Sequence, residues 1–594
     1  MKFPVAGALA SSNQIQTQPN PPNFPPSVQV FTSLTPTDLI DSKIQAAFAE
    51  NGGSPTTSCN NGEFSDSRYA FLFAPGNYTN DVPVGFYTSI YGAGKSPYET
   101  QFTGDRGVYA EEGCGAFDVG ALTTFWRSAE NFHTHSAYEW AVGVGMTWAV
   151  SQAAPLRNVV IDNSLMLFEY IDGDAAGYAS GGWGSGLTIG GEVGFGSQQQ
   201  FMIRSSTSSK FQDTVWNGVF VGNENPPPAA CGIAETDTHQ SQMSVVDTVP
   251  LVAEKPFIRT DEFAQKFTLV VPALQTESKG PLYTVDGFKD AVEVDFVNVY
   301  VTDPAIDSSS SINLMLDAGL NIVVSPGIYT LTDSIKIVKD SQVVLGLGLA
   351  TLIAPENGEP CVVVAGGLSD VRVAGLLLQA GEHETSDMLR VEAGTPLSGS
   401  PIILTDIFAR VGGPNTELVG PVGSMINIEA DNVIIDNTWL WRADHSTKGL
   451  VSNEDNACNN GLLVSGDDCI AYGLAVEHTN EDNVIWSGES GQVYFFQAEI
   501  LYDFVASDTW EHSCYIVDEK VTKHLGVGLG CYSFFRDAEV SVKSSFTTNG
   551  SDGVVLETAT SVFLNGGGEI LNIVNDDGIS VSSQGAHQAY SCNF

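Results

Sequence analysis

Positive charge is scarce in this chain. It has 25 lysines and arginines against 70 aspartates and glutamates, which gives a formal net charge of −45. A surface of that sign repels nucleic acids, anionic membranes and polyanionic polysaccharides such as pectate or alginate, whereas a neutral ligand meets no such repulsion. We therefore expect no nucleic-acid partner and no membrane partner.

Several motifs are missing as well. No stretch is apolar for the roughly 20 residues that span a bilayer. HExxH, GxSxG and Walker loops do not occur, so zinc-protease, serine-hydrolase and nucleotide-binding functions have no basis in the sequence. The nine cysteines include no CxxC pair, which excludes zinc-ribbon and thioredoxin-type sites. Cys458 and Cys469 are close enough in sequence to be candidates for a disulfide.

The N-terminal segment, residues 1–27, has the composition of a targeting region. MKFPVAGALASS resembles a short signal peptide, and the polar NQIQTQPNPPNFPPS after it is proline-rich and should be extended. Asn77 and Asn549 begin Asn-x-Ser/Thr sequons, which fit a secretory protein. We expect an extracellular protein, with a monomer sufficient for function.

Internal similarity is the most informative feature that is present. Three segments recur in the same order at offsets of roughly 250 to 275 residues, which predicts a duplicated architecture. The pairs are FLFAPGNYT (71–79) with IVVSPGIYT (322–330), SIYGAG (89–94) with VVLGLG (343–348), and NVVIDNSLMLFEY (158–170) with NVIIDNTWLWRAD (432–444).

Each half opens with a helical pattern and continues in short Val- and Ile-rich runs separated by Gly, Asn and Asp. Such runs without crossover helices favour a parallel solenoid over a sandwich. We predict an all-β protein with two right-handed parallel β-helix domains side by side, at 28–255 and 301–594. A linker at 256–300 joins them, and within it FTLVVPAL has the pattern of a strand.

Two glutamates differ from the many carboxylates in turns. Glu477 ends the apolar run GLAVE, and Glu499 lies in VYFFQAEILYD, which also contains Tyr502. Aromatic surroundings desolvate a carboxyl group and raise its pKa, as a general acid requires. The alternative is a rim carboxylate bonded to a neighbour while the aromatic rings fill a core.

Two further segments are candidates for ligand contact. WLWRADH contains Trp439, Trp441, Arg442, Asp444 and His445, and its two tryptophans share one face of a strand. They either stack on a ligand or pack against the other domain.

GSQQQF places the amides of Gln198 and Gln200 on one face, where they could hold water or form an amide ladder. The GDD at 466–468 is weak evidence for a cation, and we predict no metal and no cofactor.

Taken together, AVSQAAPLRNV, GSQQQFMIRSS, NTWLWRADH and GLAVEHTNEDNVIWSGESGQVYFFQAEILYD resemble glycoside hydrolase family 55, the exo-β-1,3-glucanases with tandem β-helices. The resemblance implies release of glucose, with inversion, from the non-reducing end of a β-1,3-glucan in a cleft between the domains.

Residue by residue, the resemblance makes Glu499 the general acid, Glu477 a second essential carboxylate and Tyr502 a neighbour of the acid. Gln198 and Gln200 match amides that hold the attacking water. Predicted substrate contacts include the WLWRADH residues together with Trp486 and Glu489. The family's serine beside this water is absent near Val221 and Gly222.

Two alternatives remain open at this point. A β-helix lyase or hydrolase acting on an acidic polysaccharide would need clustered basic residues and often calcium. A non-catalytic carbohydrate-binding β-helix would bind a sugar without cleaving it.

Overall fold

The structure is a computed structural model. It describes residues 17–52, 62–111, 120–140, 143–169, 177–232, 241–414, 419–505 and 509–592. The signal-like residues 1–12 lie outside the described residues. Among the described helices, none has the length and apolar character needed to cross a membrane.

The first half of the chain forms one β-helix. Its main sheet is parallel, and its interior is filled by apolar side chains such as Phe71, Phe132, Trp148 and Phe220. The strands of that sheet are Val28–Phe31, Tyr69–Phe73, Gly76–Tyr78, Thr88–Gly92, Thr100–Phe102, Arg127–Thr134, Leu156–Ile161, Gly182–Ser185, Thr188–Ile189, Gln200–Arg204, Asn217–Val221 and Gln242–Val246. A second face consists of Tyr138–Trp140, Gly143–Thr147, Ser164–Met166, Glu192–Gly194 and Lys210–Phe211.

The second half forms a longer β-helix with two large sheets. One contains Val299–Val301, Asn321–Val324, Ile328–Thr330, Val343–Ile353, Arg372–Gln379, Ile402–Val411, Val433–Arg442, Ile470–Glu477, Gly491–Glu499, His524–Phe535, Val554–Leu556, Thr558–Gly566 and Gln588–Cys592. The other contains Ile335–Ile337, Val362–Val364, Thr385–Val391, Val422–Ile428, Cys458–Val464, Val484–Trp486, Thr509–Trp510, Tyr515–Val517, Ser541–Thr547, Glu569–Val574 and Val581–Ser582. The predicted fold, all-β with two parallel β-helices, is confirmed.

Each β-helix begins with a helix that packs onto its open end. Thr37–Asn51 buries Ile40 and Ile44 against the first core, with Pro36 at the N-cap. Ser309–Asp317 starts at Ser308, whose side chain accepts from the backbone N–H of Ser311 in a capping box. These helices shield a sheet edge that would otherwise be free to pair.

The segment between the halves is itself folded. Phe257–Thr260, Phe267–Val271 and Val292–Asp295 form a three-stranded antiparallel sheet, and the FTLVV strand is its centre. Val249–Val252 pairs with Gln275–Ser278. The apolar side of the three-stranded sheet packs between the two β-helices, so the connection is part of the domain interface.

The two main sheets face each other across this interface through a buried cluster of charges. Arg157 of the first half bonds Asp406 at 2.7 Å and Asp436 at 2.9 Å, both from the second half. Arg204 bonds Asp436 at 2.7 Å and Glu254 at 2.6 Å. Removing one partner from such a buried network leaves an uncompensated charge, which is strongly destabilising.

The predicted pairing of Cys458 with Cys469 is wrong, because both are free and buried in the second β-helix. Their side chains fill its core, where they bond to backbone carbonyls. Cys231 instead pairs with Cys592, which joins the end of the first half to the end of the second, and Cys514 pairs with Cys531.

Candidate active site

Two carboxyl groups stand side by side at the ends of adjacent strands. Glu477 ends Ile470–Glu477, Glu499 ends Gly491–Glu499, and the two residues are register partners. Neighbouring strands lie about 4.8 Å apart, so the two side chains leave the sheet close together. Glu477 lies at the interface of the two halves, where Gln152 of the first half contacts it.

Glu477 is surrounded by neutral N–H donors. Its Oε1 accepts from the amides of Gln152 and Gln497, both at 2.8 Å, and its Oε2 accepts from the indole of Trp439 at 2.9 Å. Burial raises the pKa of Glu477 to about 7, although the three hydrogen bonds favour the ionised form and pull the pKa down. Both oxygens are therefore engaged before any substrate arrives.

Glu499 has a different environment. The Tyr502 hydroxyl donates to its Oε2, and the Nε2 of His478 lies 3.9 Å from the same oxygen. Burial, and then the negative charges of Glu477 and Asp444, raise the pKa of Glu499 well above its ordinary value. Its side chain is 13% exposed, which leaves it reachable from the cleft.

His478 is a site residue that we did not predict. It follows Glu477 with φ of +64°, and its Nδ1 donates to the carbonyl of Ile500 at 3.2 Å. Burial lowers the pKa of His478, so the ring is neutral and turns the lone pair of Nε2 towards Glu499. A neutral ring cannot stabilise a carboxylate as a cation would, which is consistent with a protonated Glu499.

Asp444 and His445 lie beside this pair, as predicted for contacts in the cleft. The His445 ring bridges Asp444 at 2.8 Å and Glu63 of the first half at 2.7 Å. Burial lowers the pKa of His445, but the two carboxylates outweigh it and raise the pKa to about 10. Burial raises the pKa of Asp444, but the bond from His445 outweighs it, and the pKa falls to about 2.

The two tryptophans of the WLWRADH segment present no free face to a ligand. Trp439 and Trp441 are each 2% exposed. Trp439 packs on Trp126 and Phe125 at centroid distances of 4.5 and 4.9 Å, and Trp441 stacks on Phe64 at 6.5 Å. The first half covers both rings, so Trp439 reaches the site through its N–H to Glu477 rather than by stacking on a sugar.

The two predicted amides have different positions. Gln198 is fully buried and is bound by the backbone of the first half, donating to Val150 and Leu167 and accepting from Gly181. It has no group left for water. Gln200 donates to the carbonyl of Ser180, and its Oε1, buried at the interface, has no hydrogen-bond partner among the described residues.

Three other predicted substrate contacts lie away from the cleft. Arg442 is buried and pairs with Asp503, so it connects its strand to the loop that follows Glu499. Trp486 points into the core of the second β-helix, beside Tyr515. Glu489 lies in the turn before Gly491–Glu499, at the strand's opposite end from Glu499, and accepts from Thr522. These positions do not support substrate contact.

A small cavity lies beside the residues that bind Glu477, with a volume of about 20 Å³, which is room for a single water. Its polar lining includes Gln152, Ser180, Gln200, Asn437, Thr438 and Gln497. The Oε1 of Gln152 accepts from the hydroxyls of Ser151 and Ser180. A serine is therefore present beside the amides, but it comes from residues 151 and 180 and not from near Val221, where we expected one.

The sequence held signals for some of these residues. Gln497 lies two positions before Glu499 on the same face of its strand, as the period of two requires. Gln152 lies in AVSQAAPLRNV, one of the segments on which the family resemblance rests. No local signal pointed to Glu63 or Phe64, which reach the site from the other half.

A family profile described as the LAM55 pectate lyase-like domain matches residues 299–499. An "Exo-beta-1,3-glucanase" of Streptomyces sp. (strain SirexAA-E / ActE) is 35% identical over 565 residues, which are 93% of this chain and 86% of that protein.

The chain belongs to glycoside hydrolase family 55. The structure of sacteLam55A from Streptomyces sp. SirexAA-E superposes on this family 55 chain with a TM-score of 0.85 at 33% identity, covering 98% of this chain and all of that one. A variant of sacteLam55A in complex with glucose gives the same TM-score and identity, covering 98% and 99%. The resemblance seen in the sequence is confirmed.

Proposed function

We propose that this protein is an exo-acting glycoside hydrolase that releases glucose from the non-reducing end of β-1,3-glucan with inversion, and that Glu499 is its general acid. The similar exo-β-1,3-glucanase and the glucose complex of sacteLam55A support the substrate class. The net charge of −45 also favours a neutral glucan over a uronate polymer.

The observation that carries the proposal is the asymmetry between Glu477 and Glu499. Two buried carboxyl groups this close titrate as a pair and share one negative charge over a range of pH. Three N–H groups stabilise that charge on Glu477, whereas Glu499 receives one hydroxyl. The proton therefore resides on Glu499, which is the group that can donate it to the glycosidic oxygen.

The same hydrogen bonds argue against a covalent mechanism. A nucleophilic carboxylate needs a free oxygen directed at the anomeric carbon, and both oxygens of Glu477 are engaged by donors. The strand spacing of about 4.8 Å is near the roughly 5–5.5 Å of retaining pairs, so the engaged oxygens of Glu477 are what argue against it as a nucleophile. The same spacing is shorter than the roughly 6.5–9.5 Å between the acid and base of inverting enzymes, so Glu477 is not the base either. We therefore place the attacking water at the amide cavity beside Gln152 and Ser180, with Glu477 as a positioning residue.

The site's electrostatics disfavour an acidic polysaccharide. Asp444, which is partly exposed, lies beside the imidazolium of His445, and the buried Glu63 pairs with the same ring. A uronate would meet the combined negative charge of Asp444, Glu63 and ionised Glu477, which outnumbers the one positive charge of His445. Neutral sugar hydroxyls can instead donate to Asp444.

We also propose that the protein acts outside the cell as a monomer. The disulfides Cys231–Cys592 and Cys514–Cys531 fit an oxidising compartment. The groups that we place in the site all come from one chain.

The test is glucose release from laminarin by the purified protein, with the anomer of the first product followed by NMR. We expect α-glucose initially, and almost no glucose from Glu499→Gln. Glu489→Gln is the matched control, a glutamate of the same segment at the far end of the strand, and should keep its activity.

Folded wild-type protein that is inert on laminarin but cleaves pectate or alginate would overturn the substrate assignment. Binding of glucan without cleavage would indicate a carbohydrate-binding protein. An initial β-anomer would refute inversion, and an active Glu499→Gln variant would refute the choice of acid.

A further inference from the structure

Two histidines and an aspartate cluster on the outer surface of the first β-helix, at the carboxyl ends of two neighbouring strands of its main sheet. His133 lies near the end of Arg127–Thr134, and His135 follows that strand. Residues two apart on an extended chain share a face, so both rings point the same way. Asp162 follows Leu156–Ile161 on the next rung, where Ile161 pairs with Thr134.

The potential ligand atoms already converge. The Nε2 of His133 lies 2.6 Å from one oxygen of Asp162, and the Nδ1 of His135 lies 2.5 Å from the other. The three ligand atoms lie within 4.8 Å of one another. The side chains are 13%, 33% and 44% exposed, so an ion can reach them from solvent while the sheet holds their backbone.

Gln101, on the preceding rung, orients the ring of His135. Its amide nitrogen donates to the carbonyl of Tyr98 at 3.0 Å, which turns its Oε1 towards the Nε2 of His135 at 3.3 Å. The Nδ1 of His135 is therefore the ring nitrogen that faces Asp162, next to the Nε2 of His133.

We propose that His133, His135 and Asp162 form a binding site for a divalent transition-metal ion of the zinc class. Two imidazoles and a carboxylate are a ligand set that zinc accepts, with water completing the coordination. Because tetrahedral ligands about 2.0–2.2 Å from an ion lie about 3.3–3.6 Å from one another, the Asp162 carboxylate must withdraw by about 1 Å from the two rings to admit the ion. Gln101 is the outer acceptor that fixes the His135 tautomer, a role common to metal-bound histidines.

The site is separate from the catalytic cleft. The amino end of Arg127–Thr134 adjoins Trp126 and the cleft, and His133 lies seven residues beyond Trp126, past a bend in the strand at Asn131, whose φ is +59°. The His133 ring also contacts Tyr98 at 6.0 Å, and Tyr98 contacts Tyr283 of the connecting segment at 6.1 Å. The ion would thus tie three rungs together where the connecting segment crosses them, and its role is structural.

The test is calorimetric titration of Zn²⁺ into the full-length protein after removal of metal by a chelator. We expect one Zn²⁺ per chain in the wild type, at least tenfold weaker binding in Asp162→Asn and His135→Ala, and about 10- to 100-fold weaker binding in Gln101→Ala. His383→Ala is the control, because His383 is an exposed histidine between two glutamates and so reports nonspecific binding to an acidic surface.

Co²⁺ supplies a second readout through its visible absorption, which distinguishes nitrogen-containing four-coordinate sites from all-oxygen octahedral binding. The four variants should hydrolyse laminarin like the wild type, which also shows that they are folded. The absence of stoichiometric Zn²⁺ binding, equal binding by Asp162→Asn, or an octahedral Co²⁺ spectrum would each overturn the proposal.

Discussion

Replacing Trp439 by phenylalanine tests how Glu477 is kept ionised. The indole N–H donates to Oε2 of Glu477 at 2.9 Å, and phenylalanine keeps much of the packing on Trp126 and Phe125 without that donor. A hydrogen bond to a charged group contributes about 1.5–3 kcal/mol. Since about 1.4 kcal/mol corresponds to a factor of ten, we expect kcat/KM on laminarin to fall about 10- to 150-fold.

The pH profile of Trp439→Phe should change in a defined direction. The lost donor favoured the ionised form, so the pKa of Glu477, already raised to about 7 by burial, rises further. The active state needs Glu477 ionised and Glu499 protonated. The ascending limb of kcat/KM against pH therefore moves to higher pH, and the deficit of the variant is largest in acid.

Trp441→Phe is the matched control. Trp441 lies two residues along the same strand, is equally buried, and is not among the donors to Glu477. It should lose stability but keep the wild-type pH profile. If both variants lose activity equally, or if the ascending limb of Trp439→Phe does not move, then packing and not the hydrogen bond explains the tryptophan.

Three further outcomes are expected. Tyr502→Phe removes the hydroxyl that donates to Glu499, so the pKa of Glu499 should rise further and the descending limb of kcat against pH should move to higher pH. We expect kcat to fall by about 10- to 150-fold. An unmoved limb would contradict this. Arg204→Met removes one of the two arginines that pair with the buried Asp436 and Glu254, and it should lower the free energy of unfolding by about 3–5 kcal/mol, measured by urea denaturation. A loss below about 1 kcal/mol would contradict a buried network. The double change Cys231→Ser and Cys592→Ser removes a disulfide between residues 361 positions apart and should lower the melting temperature. A reductant should lower the melting temperature of the wild type more than that of this variant.

The architecture and the placing of Glu477 and Glu499 in one site could be predicted because their signals are local. The first two pairs of repeated segments occupy equivalent strands, the second and third of each main sheet, whereas NVVIDN runs past the end of Leu156–Ile161 and NVIIDN covers the start of Val433–Arg442. Glu477 and Glu499 each end a strand on the same face, so the stacking of rungs brings them together. Tyr502 follows three residues after Glu499 and meets it without any long-range contact.

The wrong assignments share a different cause. Trp439 and Trp441 have the pattern of a solvent-facing pair, but the first half covers them with Trp126 and Phe64. Trp486 shares its segment with the catalytic residues, yet its strand belongs to the second sheet, where its side chain turns inward. Which face of a strand meets the other domain depends on how two solenoids dock, and one strand's residue pattern does not contain that information.

Docking of the two halves supplies one of the three donors that make the carboxyl pair unequal: Gln152 comes from the first half, whereas Trp439 and Gln497 belong to the second. Gln152 lies five residues before Arg157, and Trp439 lies three residues after Asp436, so the Arg157–Asp436 ion pair is about 10 Å along the strand from the hydrogen bonds of Glu477. Apolar packing alone would allow the two sheets to slide. A slip of one rung, about 4.8 Å, would leave buried charges unpaired and take Gln152 out of reach of Glu477. The polar contacts at this interface thus fix the register in which Gln152 completes the hydrogen bonds of Glu477, on which the proposed placement of the proton on Glu499 depends.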